Sequence, residues 1–336
     1  MKRIIIFYVL MAAFGYSTTF AQQSPITVKK SNTRHGPEKG SLIIIGGGGS
    51  TPAIWAKFLQ LAGGKDKANI VVVTTASGDS AEFSQGTVRS VKRSTGVENV
   101  TLLHTGDLEV ANSDKFVDAI NKATAVFFDG GRQWRPAQSY LNTKAHQAFI
   151  DLLNRGGVIA GSSAGASIQG SFLWRGDTEG AHIQVGDHTQ GLGFLKNSAI
   201  DQHLLTRNRQ FDLVDFIKQA PEIIGIGLEQ ATAILVQKDT LEVIGKSYVL
   251  IYDYNTIIGN GVKHVVNDKE IYTASSGPFF FLHEGQKYDL KNRRVIDPPS
   301  TAAEKAALAA KTVKKTSTAK KVNKPAATPA TAKLNN

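Results

Sequence analysis

The feature that most constrains how this chain can fold is the alternation, from residue 41 onward, of short apolar runs with amphipathic segments. The apolar runs are strand-sized and lie at 41–45, 69–75, 97–104 and 125–128. The run at 69–75 is continuous and β-branched, which is typical of a strand buried on both faces. Repeated strand–helix units of this kind predict an α/β fold, with a mostly parallel sheet sandwiched by helices.

The segments between these runs predict helices, and the second half of the chain predicts further strands. The predicted helices cover residues 52–62, 84–94, 113–123, 138–155 and 211–219. Four short apolar runs follow in hairpin-like succession at 223–227, 231–237, 241–244 and 248–252. That succession predicts a short antiparallel extension near the C-terminal end.

The N-terminus has the pattern of a secretory signal peptide. Lys2 and Arg3 precede an apolar segment at 4–15, and small and polar residues end at Ala21. The apolar segment is too short to span a membrane, and the later apolar runs are only strand-sized. We therefore expect a secreted or periplasmic protein with no transmembrane helix.

The length of 336 residues and the hydrophobic content of 41% allow one large domain with a real core. We predict a signal peptide at 1–21, a polar lead-in at 22–40 and a single α/β domain at 41–297. The remaining residues, 298–336, form a Lys-, Ala- and Thr-rich tail with almost no large apolar side chains. Such a composition buries too little apolar surface to offset the ordering entropy, so we expect a disordered tail.

The formal net charge of +11 is concentrated outside the predicted domain. Residues 301–336 hold eight Lys against one Glu, and the signal peptide holds two more cations, which leaves about +2 for the rest. A nearly neutral domain does not predict a nucleic-acid partner, whereas the basic tail could contact acidic polymers. The chain has no Cys, which excludes disulfides, thiolate metal sites and cysteine nucleophiles.

A strand-to-helix elbow supplies the candidate nucleophile. Residues 156–170 run from an apolar segment into a turn of Gly, Ser and Ala, and residues 161–165 fit the pattern G-x-S-x-G. Small neighbours permit a sharp turn that holds the hydroxyl of Ser163 clear of the backbone. The alternative interpretation is a Gly/Ser loop that only lets a helix pack close to a strand.

A serine nucleophile needs a base, and the base needs a partner that orients it. Of the eight histidines we favour His203, which follows a predicted strand and lies in the polar run 201–209. His182 and His188 are the alternatives. Their spacing could also suit a metal pair, but no third ligand accompanies them, so we predict neither a metal nor a cofactor.

For the orienting carboxylate, Asp177 and Glu179 are both placed between Ser163 and His203 in the chain. Asp187 and Glu229 are less favoured, and surface ion pairs are the alternative role for each of the four. The oxyanion hole needs two convergent backbone N–H groups, for which Ala164 and Gly131 are the candidates. Either residue could equally serve only a plain strand-to-helix turn.

A run of four glycines at 46–49 invites a nucleotide-binding interpretation. It fails G-x-G-x-x-G, because Thr51 stands where the third glycine belongs, and it lacks the Gly-Lys-Ser/Thr of a P-loop. We interpret it as a turn that forms part of a cleft.

Several motifs together resemble the serine peptidase family that contains cyanophycinases and dipeptidase E. They are Gly161–Ala166, Gly130-Gly131-x-Gln133, Asp201-Gln202-His203 with Arg207 and Arg209, and Ile226-Gly227-Leu228-Glu229-x-x-Thr232-Ala233. The resemblance covers roughly residues 40–255 and implies a fold similar to class I glutamine amidotransferases, with serine in place of cysteine. It also implies cleavage after aspartyl residues, without a cofactor, as in the breakdown of cyanophycin to β-Asp-Arg dipeptides.

Carried over by residue, the resemblance makes Ser163 the nucleophile and His203 the base. The residues that it assigns to the substrate site are Gln133, Asp201, Gln202, Arg207 and Arg209. One departure is Arg132, which stands where the family usually has aspartate. A cation there would disfavour an arginine-bearing substrate if it faced the cleft. The segment after the elbow matches poorly, which leaves the choice between Asp177 and Glu179 open.

The leading hypothesis is a secreted serine peptidase that hydrolyses cyanophycin or related aspartyl peptides. A homodimer is one assembly that this protein could form. A second hypothesis is a dipeptidase that acts on small Asp-X peptides. A third, from another class, is a non-catalytic envelope protein whose basic tail holds acidic polymers. The joint presence of serine, histidine and carboxylates favours the enzyme hypotheses.

Overall fold

The computed structural model describes residues 34–78, 81–258, 264–266, 269–271 and 278–296. The predicted signal peptide and the tail at 298–336 lie outside the described residues. Within the described ranges, no helix has both the length and the hydrophobicity that a membrane crossing requires.

The strands are short, and most of those in the first half of the chain are preceded or followed by a helix. In chain order they are β1 (Ser41–Ile45), β2 (Ile70–Val73), β3 (Val100–Leu103), β4 (Ala125–Phe128), β5 (Val158–Ser162), β6 (Gly170–Phe172), β7 (Leu195–Gln202), β8 (Ile224–Leu228), β9 (Thr232–Gln237), β10 (Thr240–Gly245), β11 (Val249–Tyr252), β12 (His264–Val266), β13 (Lys269–Ile271), β14 (Phe280–Leu282), β15 (Lys287–Asp289) and β16 (Arg294–Ile296).

The helices fill the gaps between the early strands and cover the sheet faces. In chain order they are α1 (Pro52–Leu61), α2 (Ala81–Thr95), α3 (Leu108–Ala111), α4 (Asp114–Lys122), α5 (Trp134–Tyr140), α6 (Lys144–Asn154), α7 (Ala164–Ser167), α8 (Asp212–Gln219) and α9 (Tyr254–Ile258), with a 3-10 turn at Thr75–Ser77.

The larger sheet of the described residues has the order β16-β15-β10-β9-β1-β5-β4-β2-β3. The five strands from β1 to β3 are parallel to one another, whereas β9, β10, β15 and β16 add to the β1 edge in antiparallel fashion. Both the mostly parallel sheet and the antiparallel extension near the C-terminal end are therefore confirmed.

Burial on both faces explains why the early strands are continuously apolar. Along β1, Leu42 and Ile44 point into one hydrophobic cluster, and Ile43 and Ile45 point into another on the opposite face. Residues of α1 and α2 complete the second cluster, while α4, α5 and α6 and the second sheet complete the first. A strand without a solvated face has no polar positions to alternate.

A second sheet, with the order β14-β11-β8-β7-β6, packs beside the first. The four C-terminal strands that the sequence predicts as one hairpin succession are in fact divided: β8 and β11 pair with each other here, and β9 and β10 pair in the larger sheet. Because β7 and β8 are parallel neighbours, their carboxyl ends lie side by side. That adjacency matters for the active site.

The single helix predicted at 138–155 is wrong. The chain forms α5 and α6, separated by Asn142 in the left-handed region at φ 61°. The hydroxyl of Thr143 then caps α6 by accepting the amide of His146 at 3.3 Å. Asn tolerates that backbone conformation better than most residues, and Thr is a good N-cap, so the break has a local cause.

Candidate active site

The carboxyl ends of three neighbouring parallel strands, β1, β5 and β4, form the floor of the site. Ligands of open α/β sheets bind at that edge, where loops leave the strands in different directions. Gly46 follows β1, Ser163 follows β5 and Asp129 follows β4. The three loops that follow these strands therefore converge.

Ser163 occupies the sharp elbow that G-x-S-x-G predicts. Its backbone has φ 57° and ψ −115°, and its N–H donates to the carbonyl of Ile45 at 3.0 Å. A side chain at Gly165 would overlap the carbonyl oxygen of Phe128, and one at Gly161 would overlap the carbonyl of Gly165. Glycine at position 165 lets the elbow approach β4 this closely, and glycine at position 161 leaves room for the Gly165 carbonyl. A non-glycine residue in this strained conformation costs on the order of 1–3 kcal/mol, and such strain is concentrated at functional sites.

The imidazole of His203 meets this hydroxyl: Nε2 of His203 lies 2.9 Å from Oγ of Ser163. His203 follows β7 of the second sheet, and its backbone N–H donates to the carbonyl of Gly46 at 2.9 Å. Gly47, at φ 99°, leaves space that the ring occupies, because a Cβ there would overlap the imidazole. The glycine run after β1 thus makes room for a histidine.

Burial and neighbouring cations keep His203 neutral. Desolvation lowers its pKa most, the charges of Arg207 and Arg209 lower it further, and Glu229 opposes them, with a resulting pKa of about 4. At neutral pH the ring therefore carries one proton and one lone pair. Which nitrogen holds the proton depends on the group at Nδ1.

The group at Nδ1 of His203 is the side-chain amide of Gln230, whose Nε2 lies 2.9 Å away. This corrects the prediction that Asp177 or Glu179 orients the ring. Asp177 is buried and accepts the amides of Glu179, Gly180 and Asp187 within its own loop. Glu179 is exposed on that loop. The Asp177 carboxylate is therefore hydrogen-bonded by amides of its own loop and is not the group that orients the imidazole of His203.

The two less favoured carboxylates also have other partners. Glu229 accepts the amides of Leu205 and Thr206 at 2.6 and 3.0 Å and the hydroxyl of Thr206, and so holds the turn after His203. Burial would raise the pKa of Glu229, but these hydrogen bonds outweigh it and lower the pKa. Asp187 binds the Thr178 hydroxyl and Nδ1 of His188.

Sequence reasoning missed Gln230, although a signal for it exists. In the register of β7 with β8, Gln202 is opposite Leu228. The residues just past these two ends, His203 and the pair 229–230, must therefore be close in space. Recognising β7 and β8 as parallel neighbours would have directed attention to position 230.

Two residues predicted to bind substrate are structural in this molecule. Asp201 is 1% exposed and is bound by Trp174 Nε1 at 3.2 Å, Arg175 Nε at 3.2 Å and Arg209 Nη1 at 3.3 Å. Gln133 is 2% exposed, and its amide donates to the carbonyls of Trp174 and Arg175. Both side chains hold the 174–175 segment, so neither is available to a ligand.

The cationic residues near the site are either exposed to solvent or bound to other groups of the protein. Arg207 is exposed, and its charge acts on His203, whereas Arg209 is 13% exposed and paired with Asp201. Gln202 is buried, and its Oε1 has no partner among the described residues. Arg132 donates from Nη2 to the Asp177 carbonyl at 2.7 Å, so its guanidinium is held by the 177 loop.

The predicted oxyanion donors, Ala164 and Gly131, belong to two turns near Ser163. Ala164 is the first residue of α7, where amides have no carbonyl partner inside the helix. The turn after β4 approaches from the other side, since a Cβ at Gly130 would lie 3.8 Å from Oγ of Ser163. Gly131 continues that turn. The role of Ala164 and Gly131 as oxyanion donors stays a prediction.

A cleft of 780 Å³ opens beside the elbow, between α1, α2 and the strand ends. Its walls include the aromatic side chains of Trp55 and Phe83, and Ser162 lines it next to the elbow serine. The acidic residues Glu82 and Asp129 also line it. Burial raises the pKa of Asp129, against hydrogen bonds from Thr87 and from the Gly130 amide. Nothing in the sequence pattern distinguished Asp129.

The alternative histidines lie elsewhere. His182 is exposed against Gly180, and His188 pairs with Asp187 and lies 5.8 Å from the Trp134 ring centre. Among the residues that the structure describes, no group of three His, Asp or Glu side chains could hold a metal ion.

Comparisons with known proteins found a family and relatives that this chain is similar to. The model of Peptidase family S51 matches residues 42–244. A cyanophycinase of Synechococcus elongatus is 28% identical over 291 residues, which is 84% of this chain and 88% of that protein. A cyanophycinase of Geminocystis herdmanii is 30% identical over 222 residues, covering 64% and 81% respectively. The crystal structure of a peptidase from an acI-B1 actinobacterium has a TM-score of 0.57 at 21% identity over 76% of this chain and 98% of that one, which shows a shared fold.

Proposed function

Because this chain belongs to peptidase family S51 and is a serine-type peptidase, we propose that it hydrolyses aspartyl peptide bonds in cyanophycin or related peptides through Ser163 and His203. The observation that carries the proposal is the 2.9 Å contact between Oγ of Ser163 and Nε2 of His203 at the strained elbow. A hydroxyl at a sharp turn with a neutral imidazole against it is the arrangement that acyl transfer needs.

In the proposed reaction, His203 acts in the tautomer with its ring proton on Nδ1, and its Nε2 removes the hydroxyl proton as Oγ of Ser163 bonds to the substrate carbonyl carbon. The carbonyl electrons move to the oxygen, where the N–H groups of Ala164 and Gly131 stabilise the oxyanion. The imidazolium then protonates the leaving amine. A water molecule, deprotonated by the same ring, hydrolyses the acyl-enzyme and frees Ser163.

The charged residues around the site support a substrate that carries both a negatively and a positively charged group. Exposed Arg207 lies close enough to lower the pKa of His203 and could bind a substrate carboxylate. Across the elbow, Glu82 and Asp129 line the cleft and could bind a cationic side chain. An aspartate backbone that carries arginine supplies both partners. Arg132 does not oppose this substrate, because its guanidinium is bound at the 177 loop.

The proposal includes export. The cations Lys2 and Arg3, the apolar segment at 4–15 and the small residue Ala21 support a cleaved signal peptide. A protein that acts on a polymer or on peptides outside the cytoplasm needs such a segment. N-terminal sequencing of the protein from a native culture medium or periplasm should begin at or near Gln22, and detection of the intact Met1 form alone would contradict export.

Incubation of the purified protein with cyanophycin, followed by mass analysis, tests the activity. We expect release of aspartate–arginine dipeptides by the wild type and none by Ser163→Ala. Small Asp-X dipeptides in parallel reactions separate polymer hydrolysis from a dipeptidase. Equal product from Ser163→Ala, or failure of a fluorophosphonate to label Ser163, would remove the serine mechanism.

A further inference from the structure

The orienting group of the catalytic pair is an amide where a serine hydrolase ordinarily uses a carboxylate. Gln230 approaches Nδ1 of His203 through its Nε2 at 2.9 Å. Its side chain is packed against Gly48, where any Cβ would overlap it, and the neighbouring Ala231 amide donates to the Gly47 carbonyl at 2.9 Å. Gln230 is thus held against the ring by the same glycine turn that accommodates the imidazole.

In the structure the amide nitrogen of Gln230, not its oxygen, faces Nδ1 of His203, and an amide nitrogen is only a donor, so this orientation sets the tautomer of the ring. When the Gln230 NH₂ donates to Nδ1, the Nδ1 lone pair is occupied and the ring proton resides on Nε2. Nε2 then donates to Oγ of Ser163 and has no lone pair with which to take the hydroxyl proton. In a trypsin-type triad, replacing the carboxylate by an amide preserves geometry but lowers kcat about 10⁴-fold through the wrong tautomer.

The surrounding charges do not replace the missing carboxylate. Arg207 and Arg209 disfavour an imidazolium, and among the residues that the structure describes Glu229 is the anion whose charge favours it. The Glu229 oxygens already accept two amides and a hydroxyl from the turn at Leu205 and Thr206. Proton transfer to His203 therefore creates a cation that its neighbours stabilise poorly.

We propose that Gln230 is the positioning residue of His203 and that its amide keeps the ring proton on Nε2. This peptidase therefore turns substrate over slowly, and replacing Gln230 by a carboxylate residue raises the rate. The inference rests on the proposed function only in taking Ser163 as the nucleophile. Under this inference, the site binds its substrate with ordinary affinity, but the reaction proceeds at a reduced rate.

Gln230→Glu tests the proposal directly. We expect the rate of Ser163 labelling by a fluorophosphonate, and kcat on aspartyl peptides, to rise on the order of 100-fold, with KM changed by less than about threefold. The matched control is Gln60→Glu, which adds the same charge at the far end of α1 beside Lys57 and should leave both rates unchanged. An unchanged or lower labelling rate in a Gln230→Glu protein that melts like the wild type would overturn the inference.

Nitrogen-15 spectra of the histidine side chains give a readout independent of activity. In the wild type the His203 signals should show the proton on Nε2, and in Gln230→Glu on Nδ1; a wild-type ring already protonated at Nδ1 would overturn the inference. If Gln230→Glu does not fold, Gln230→Ala replaces it: loss of the donor should let the ring proton move to Nδ1 in the nitrogen-15 spectrum, and a ring proton that stays on Nε2 would count against the proposal.

The outcomes separate this inference from the proposed substrate. Faster labelling in Gln230→Glu without hydrolysis of any aspartyl peptide would refute the substrate and support the role of Gln230. If the wild type hydrolyses an aspartyl peptide and Gln230→Glu hydrolyses it no faster, the substrate is supported and the role of Gln230 is refuted.

Discussion

At the scale of single residues, the elbow depends on the two glycines that lack side chains as much as on the hydroxyl of Ser163. Gly165 lies so close to Phe128 that a methyl group at that position would overlap a backbone carbonyl. A carbonyl in the adjacent strand β4 cannot move aside without disturbing the sheet. The two glycines of G-x-S-x-G are therefore required by packing, independently of any chemistry at Ser163.

Gly165→Ala should reduce the free energy of unfolding by about 2 kcal/mol or more, because the added methyl group overpacks the site. The matched control is Gly86→Ala, in the middle of α2, where a Cβ would meet only the end of Arg89 at 3.8 Å. That change should be neutral or stabilise by about 0.5–1 kcal/mol, because alanine favours helix. Urea denaturation of both variants measures the difference, and equal midpoints would show that the elbow tolerates a side chain.

The pH dependence of Ser163 reactivity follows from His203. The neutral ring is the competent form, and because its pKa is lowered to about 4, the labelling rate should fall only near pH 4 and not near 6.5. Between these values the unfolded chain binds a proton that the folded ring does not, so the free energy of unfolding should fall as pH falls.

Arg207→Gln should move the acid midpoint of Ser163 labelling upward by about half a pH unit, since one of the cations that lower the pKa of His203 is lost. Lys218→Gln, which removes an exposed cation paired with Asp215 on α8, is the matched control and should not move it. A midpoint that stays in place for Arg207→Gln would mean that Arg207 has no electrostatic role at the site.

At the scale of elements, the end of β7 carries both the histidine of the proposed site and a buried aspartate. His203 faces the elbow, while Asp201, two positions earlier, neutralises Arg175 and Arg209 in the interior. Arg175 itself is only 3% exposed and has φ 58°. The buried ion cluster fixes where β7 ends, and so fixes the position from which the imidazole reaches across to the other sheet.

Asp201→Asn should destabilise the fold by about 3–5 kcal/mol, because it removes one of the two carboxylates paired with buried Arg175 and the carboxylate paired with Arg209. Asp215→Asn, which breaks an exposed pair on α8, is the control and should have little effect. Thermal unfolding measures both. A stable Asp201→Asn protein with only a raised KM would instead support the sequence-based assignment of Asp201 to the substrate site.

At the scale of the whole molecule, the stretch matched by the peptidase family and the basic tail are separate parts of the chain. The match to the peptidase family covers residues 42–244, which contain Ser163, His203 and Gln230. Residues 301–336 lie beyond that match and carry eight Lys against one Glu. Hydrolysis and binding to acidic polymers should therefore be separable.

Deletion of residues 301–336 should leave the melting temperature and the Ser163 labelling rate unchanged and should abolish retention on immobilised polyaspartate. Retention of the full chain should weaken steeply with salt, as expected for binding through exposed charges. A full-length protein with the eight tail lysines changed to glutamine distinguishes charge from length. Undiminished retention of either variant would assign polymer binding to the folded part.

The sequence by itself determined the sheet type and the elbow, because both depend on local properties. Continuous apolar runs separated by helices specify buried parallel strands, and small residues around Ser163 permit only a tight turn. His203 was also predictable, since it ends a strand inside a polar run. The helix break at Asn142 and the division of β8 to β11 between two sheets were missed, because one depends on a single residue and the other on distant pairing.

Only the tertiary structure decided which groups surround Ser163 and His203. Ser163 and His203 are 40 residues apart in sequence and belong to different sheets, and Gln230 lies 27 residues beyond the histidine. Asp177 was plausible by chain order yet is satisfied by its own loop, and Asp201 and Gln133 were plausible as ligands yet are buried. Side-chain partners across a site depend on how the sheets pack and on which amides compete for each carboxylate, and neither is encoded in spacing along the chain.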